Sequence, residues 1–141
     1  MSIEHYTTPE ALALLDEIGW PTFLDEASGL TCCLCMYHGQ ICARIDGDMV
    51  TDPPAHVTLC LLRDHLRGYI APTGIYVDTR INQAGAVEHF VYDSDGDFVG
   101  SFMDIDEALL TAATEALMKE RKDWRTSRRN FAAKTSHVGV R

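Results

Sequence analysis

The first 118 residues contain no lysine and only four arginines, Arg44, Arg63, Arg67 and Arg80. Set against nineteen Asp and Glu, they leave this stretch at a net charge of −15. Such a surface repels nucleic acid and favours basic partners. The chain also lacks an apolar run of the roughly 20 residues that a membrane-crossing helix needs. Its start, Met1-Ser2-Ile3-Glu4-His5, has neither the basic residues nor the apolar core of an export signal. A cytoplasmic location is therefore expected, with no membrane partner.

Signatures of enzymes are missing too. There is no G-x-S-x-G, no HExxH, no phosphate-binding glycine loop and no GxGxxG. His38, His56, His65 and His89 are scattered, and no pair of carboxylates stands out from the general acidity. Nothing local argues for catalysis, and no cofactor is expected. Internal repeats and low-complexity stretches are likewise absent.

The cysteines fall at 32, 33, 35, 42 and 60, an odd number with four crowded together. That is a poor disulfide framework, so reduced thiols are expected. With 141 residues, 46% of them hydrophobic, the chain is long enough to bury one core without a covalent staple.

What is there reads as alternating helical and extended segments. Thr8 caps a first helix, Pro9 suits its first turn, and Gly19 suits its end. Ala11, Leu12, Leu14, Leu15 and Ile18 form its buried side. A loop is expected from Trp20-Pro21 to Gly29. Residues 30–38 and 41–46 read as a hairpin around Gly39-Gln40, pairing His38 with Ile41, Met36 with Ala43 and Leu34 with Ile45. Cys32, Leu34, Met36, Ile41, Ala43 and Ile45 then share the core face. Cys33, Cys35, Tyr37, Cys42, Arg44 and Asp46 share the other.

Asp52-Pro53 is expected to start a second helix that ends near Gly68. Ala55, Leu59, Leu62 and Leu66 make its stripe, widened by Val57 and Leu61. His56, Cys60, Arg63 and Arg67 lie on another side. Three strands follow: 75–82, 87–92 and 98–103, the last two flanking Asp93-Ser94-Asp95-Gly96-Asp97, a strong hairpin signal. Asp104 caps the third helix, with Glu107 placed for a capping box. Ile105, Ala108, Leu109, Ala112, Ala113, Ala116 and Leu117 form its continuous apolar face. Trp124 extends that spacing by seven residues, and mobility is expected beyond about Arg125.

The order α-ββ-α-βββ-α groups strands between helices. It predicts an α+β fold, an antiparallel or mixed sheet packed by helices, not a doubly wound nucleotide fold. Residues 1–120 are expected to form a single domain. Residues 121–141 form a basic segment, partly helical and then flexible, and residues 119–141 together carry +6.

Three constellations are candidates for function. Asp93, Asp95, Asp97 and Asp104 are acidic residues able to meet a basic surface. The first three superficially resemble a calcium loop, with Asp104 at the twelfth position, but Phe98 stands where that loop needs glycine. A solvated hairpin tip is the simpler reading. Arg121, Lys122, Trp124, Arg125, Arg128 and Arg129 mix cations with an aromatic, a combination that grips phosphates and stacks on bases. Cys32, Cys35, His56 and Cys60 have spacings compatible with zinc. If residues 30–38 are a strand, however, Cys32 and Cys35 point to opposite faces, and ordinary packing of small thiols is preferred. Cys60 as a nucleophile is set aside because it falls in mid-helix.

The leading functional expectation is an acidic protein-interaction module. Its narrower form is a DNA-mimicking inhibitor or adaptor, of the kind mobile elements use, binding a basic host protein such as a nucleic-acid-binding protein. The alternatives are a nucleic-acid-associated accessory protein acting through the basic tail, and a zinc- or thiol-dependent protein.

Overall fold

In the computed structural model, backbone is described for residues 2–26, 29–45 and 48–139, and side chains for these residues except 2, 25 and 124–139. A 3-10 turn, Ser2–Thr7, leads into helix α1, Pro9–Ile18. The Thr8 hydroxyl accepts from the Ala11 amide at 3.2 Å, satisfying one of the donors that a helix start leaves open. Ala11, Leu14 and Leu15 are buried, as is Tyr6 of the preceding turn.

The first sheet has the order β1-β2-β3-β4, with every neighbouring pair antiparallel. Its strands are β1 (Thr22–Asp25), β2 (Leu30–Tyr37), β3 (Gln40–Ile45) and β4 (Asp48–Val50). The two outer strands correct the expected two-stranded hairpin, and β1 lies in the expected loop. Strands of three or four residues are too short for alternation to show.

The β2–β3 turn also differs from expectation. It is centred on His38-Gly39, both at positive φ (+51° and +76°), the left-handed geometry that matches strand twist. Met36 therefore pairs with Ile41, Leu34 with Ala43, and Cys32 with Ile45. Relative to the Gly39-Gln40 register, each partner moves by two residues. A two-residue slip keeps every side chain on its face, so the expected faces hold. Cys32, Leu34, Ile41 and Ala43 are buried on one side, and Arg44 is exposed on the other. Asp46 lies outside the described residues.

Helix α2 spans Ala55–Ile70, later at both ends than expected. Pro53 and Pro54 explain the start: a residue before proline is pushed out of the α region, so neither Asp52 nor Pro53 can open the helix. Pro54 is the N-cap, and its carbonyl accepts from the Thr58 hydroxyl at 3.1 Å. The chain passes Gly68 without a break and stops only after a 3-10 turn, Ala71–Thr73, at left-handed Gly74. Leu59, Leu62, Leu66 and Ile70 are buried, while Val57, expected to widen the stripe, is exposed.

The second sheet is separate: β5 (Tyr76–Ile81), β6 (Val87–Tyr92) and β7 (Phe98–Phe102), antiparallel in that order. Helix α3 runs Ile105–Gly139. Asp104 caps it, its Oδ1 accepting from the Asp106 amide at 2.7 Å. Ala108, Leu109, Ala112, Ala113 and Ala116 are all buried. Small side chains let the helix lie close to the sheet, and α3 packs on β5, β6, β7 and α2.

One cluster of buried residues receives side chains from both sheets and all three helices, including Leu15, Leu34, Ala43, Leu62, Val91 and Ala112. The architecture is α+β, with two antiparallel sheets where one was expected. No helix among the described residues is long and apolar enough to cross a membrane.

Candidate functional site

The β6–β7 hairpin presents the acidic tip. The Asp93 carbonyl accepts from the Gly96 amide at 3.0 Å, and the Asp93 amide donates to the Asp97 carbonyl at 2.9 Å. Gly96 sits at φ +86°, where a side chain would be strained. Asp93 Oδ1 accepts from the amides of Asp95 and Asp97, both at 2.9 Å. The loop thus folds around Asp93 and turns three carboxylates together. One oxygen from each of Asp93, Asp95 and Asp97 lies within 4.8 Å of the others, and Asp95 and Asp97 are exposed. None of the described cations forms an ion pair with them.

Asp104 is not part of this group. It is committed to capping α3, and its Oδ2 lies 3.5 Å from His5 Nε2. Glu107, expected to complete a capping box, lies 3.5 Å from His5 Nδ1.

A groove separates the tip from α3, with Asp93 and Asp95 on one wall and Lys119, Arg121 and Lys122 on the other. The start of the basic segment therefore faces the most acidic loop. Arg121 pairs with Glu17 of α1, and Lys119 lies 3.7 Å from Asp123. Close by, Tyr69 donates to Glu120 at 2.8 Å. Burial, helped by that carboxylate, pushes the Tyr69 hydroxyl up to about 12. The side chains of Trp124, Arg125, Arg128 and Arg129 lie outside the described residues.

The thiols do not converge. Cys32 is buried toward the core; Cys33, Cys35 and Cys42 are on the opposite face, with Cys35 directly across from Cys42. His56 and Cys60 are exposed on α2. Among the described residues, Asp93, Asp95 and Asp97 form the only group of His, Cys, Asp or Glu with metal-ligand proximity, so Cys32, Cys35, His56 and Cys60 are not brought together. Burial raises the Cys33 and Cys42 thiols above their ordinary value, with Cys35 adding to it. Fewer thiolates, and so weaker nucleophiles, result.

A buried polar cluster was not foreseen. Asp106 is 0% exposed. Arg63 of α2 grips it with two bonds, and Tyr6 donates to its Oδ1 at 2.6 Å. Desolvation and the neighbouring carboxylate push the Tyr6 hydroxyl far above its ordinary range, while the bond to Asp106 holds the Arg63 guanidinium charged. With its oxygens bound by Arg63 and Tyr6 and no exposed surface, Asp106 is suited to locking three elements rather than to chemistry. One signal was available: Asp106 is three and seven residues before Leu109 and Ala113, which places it on the apolar face.

The free side of the second sheet was also passed over. Tyr76, Phe90, Tyr92 and Phe98 gather there, and Tyr76 and Phe98 are exposed. Strand alternation alone places Phe90 and Tyr92 on one face. The register supplies their neighbours.

In comparisons with known proteins, no family model, no curated protein and no solved structure matches the chain.

Proposed function

We propose that the protein is a binding module that engages a basic protein surface. One observation carries this: Asp93, Asp95 and Asp97 are turned together on a hairpin tip held by two bonds to Asp93 Oδ1, with no described cation in an ion pair with them. Gathering like charges costs free energy, and a cationic partner recovers it. In the narrower form, a DNA-mimicking inhibitor or adaptor, these carboxylates would take the places of phosphates on a nucleic-acid-binding protein.

The test is titration with a lysine nonapeptide at about 0.05 M and about 0.5 M salt, which spans strong and weak screening. Binding is expected at low salt, falling by about tenfold or more at high salt, and weakened when Asp93, Asp95 and Asp97 become Asn. Absence of binding, or indifference to salt, would sink the proposal.

A further inference from the structure

We infer that the outer face of the second sheet is a docking site for arginine-bearing segments of a protein partner, resting on the cationic-partner reading above. Along β6, His89 and Val91 are buried against the helix side, so Glu88, Phe90 and Tyr92 emerge on the other. The register sets Tyr76 across from Tyr92, Asp78 across from Phe90, and Arg80 across from Glu88. On the other flank Phe98 lies across from Tyr92.

The rings form a strip over all three strands. Tyr76 and Tyr92 stack with centroids 5.0 Å apart. Tyr92 and Phe98 meet edge-on at 6.0 Å, and Phe90 and Phe98 are 6.4 Å apart. Tyr76 is 49% and Phe98 60% exposed. Aromatic surface left in water in one contiguous strip is a feature of contact sites.

The face already holds one guanidinium. Arg80 lies over the Phe90 ring, 5.4 Å from its centroid, and its Nε donates to Asp78 at 2.6 Å. Ring face plus carboxylate is the pairing that suits arginine, whose planar cation stacks while its edge binds oxygen. At the Tyr76–Tyr92–Phe98 end Tyr76 and Tyr92 stack, and Asp78 follows Tyr76 by two residues on the same face of β5.

Charge selects among occupants. The second sheet and its hairpin carry Asp78, Glu88, Asp93, Asp95 and Asp97 against Arg80, with Lys119, Arg121 and Lys122 across the groove on the α3 side. That excess repels the phosphates of a single-stranded nucleic acid, which would otherwise suit a stacking face. A second copy docked face to face would set the same carboxylates against one another.

The test compares arginine and lysine nonapeptides of equal charge, binding to the wild type and to Tyr76→Leu/Phe98→Leu. Leucine keeps apolar area and removes the ring faces. The expected result is a preference for arginine of about threefold or more in the wild type. It should vanish in the double variant, with lysine-peptide affinity unchanged. Amide resonances of Glu88 and Ser101 in the wild type should shift with the arginine peptide, a measurement that needs no variant. Equal affinity for both peptides, or a preference that survives the leucines, overturns the docking site and leaves the acidic-module proposal standing. Failure of both peptides to bind removes both proposals. Self-association in sedimentation that the leucines abolish would assign the face to a second copy. Oligothymidylate binding that they abolish would assign it to nucleic acid. Either result overturns the inference.

Discussion

Arg63 and Asp106, 43 residues apart in the chain, meet in a two-pronged pair, Nε to Oδ1 and Nη2 to Oδ2, both at 2.8 Å. Tyr6 closes the group from the N-terminal turn. The pair ties α2 to α3 where Asp106 has no access to water.

Breaking one side of this pair leaves a charge in an apolar place. Asp106→Asn or Arg63→Ala should each destabilise by about 3 kcal/mol or more in urea unfolding, whereas Arg63→Met/Asp106→Leu should cost less than either. A loss below about 1 kcal/mol for both single variants would mean that the pair does not hold the junction.

Alkaline pH should act through Tyr6. Its folded hydroxyl titrates above the ordinary value of about 10, because burial and Asp106 disfavour the phenolate. Between the unfolded and folded values the unfolded chain binds fewer protons, so stability is complete below about pH 10 and falls as pH rises, by up to about 1.4 kcal/mol per unit from this group. Tyr6→Phe should flatten that fall in denaturation midpoints measured across the range, at the cost of about 1 kcal/mol at neutral pH for the lost hydrogen bond. An unchanged slope would remove Tyr6 as the cause.

The turn at His38 should discriminate among side chains. At φ +51°, His38→Val is expected to destabilise by about 1–2 kcal/mol, while His38→Asn, making Asn-Gly, should be neutral or stabilising. Thermal midpoints in the opposite order would contradict the left-handed turn.

The hairpin tip should depend on Asp93 more than on its neighbours. Asp93→Ala removes the acceptor of two amides and should cost about 1 kcal/mol, against little for Asp95→Ala. Hydrogen exchange at the Asp95 and Asp97 amides provides the check, and equal protection in both variants would refute the assignment.

Thiol reactivity should follow exposure. A disulfide reagent should modify Cys60 first, with Cys32 and Cys42 protected until global unfolding. Rapid modification of Cys42 in the folded protein would contradict the buried placement.

Much of the fold was legible because it depends on neighbours in sequence. The β6–β7 hairpin follows from Asp-Gly between two apolar runs, and the start of α3 from Asp104 followed by a face rich in alanine. The acidic tip was legible for the same reason, since Asp93, Asp95 and Asp97 lie in one turn. Asp104, grouped with them by charge as a candidate contact, was also read as the cap of α3, and capping is where its Oδ1 is used. The first hairpin was legible in its faces and not in its register. Gly39 serves equally as the first or second turn residue, and side-chain alternation is the same for both.

The amino-acid sequence by itself determined where the three helices and the five longer strands lie, which side of most of them is apolar, and how charge divides along the chain. Periodicity, caps and turn residues act over a few positions and need no partner. Tertiary structure alone decided that strands split into two sheets, that Tyr6, Arg63 and Asp106 meet, and that four aromatic rings line one open face. These contacts join residues as far as 100 positions apart. Their free energy arises only when packing excludes water between elements whose relative placement no local pattern encodes.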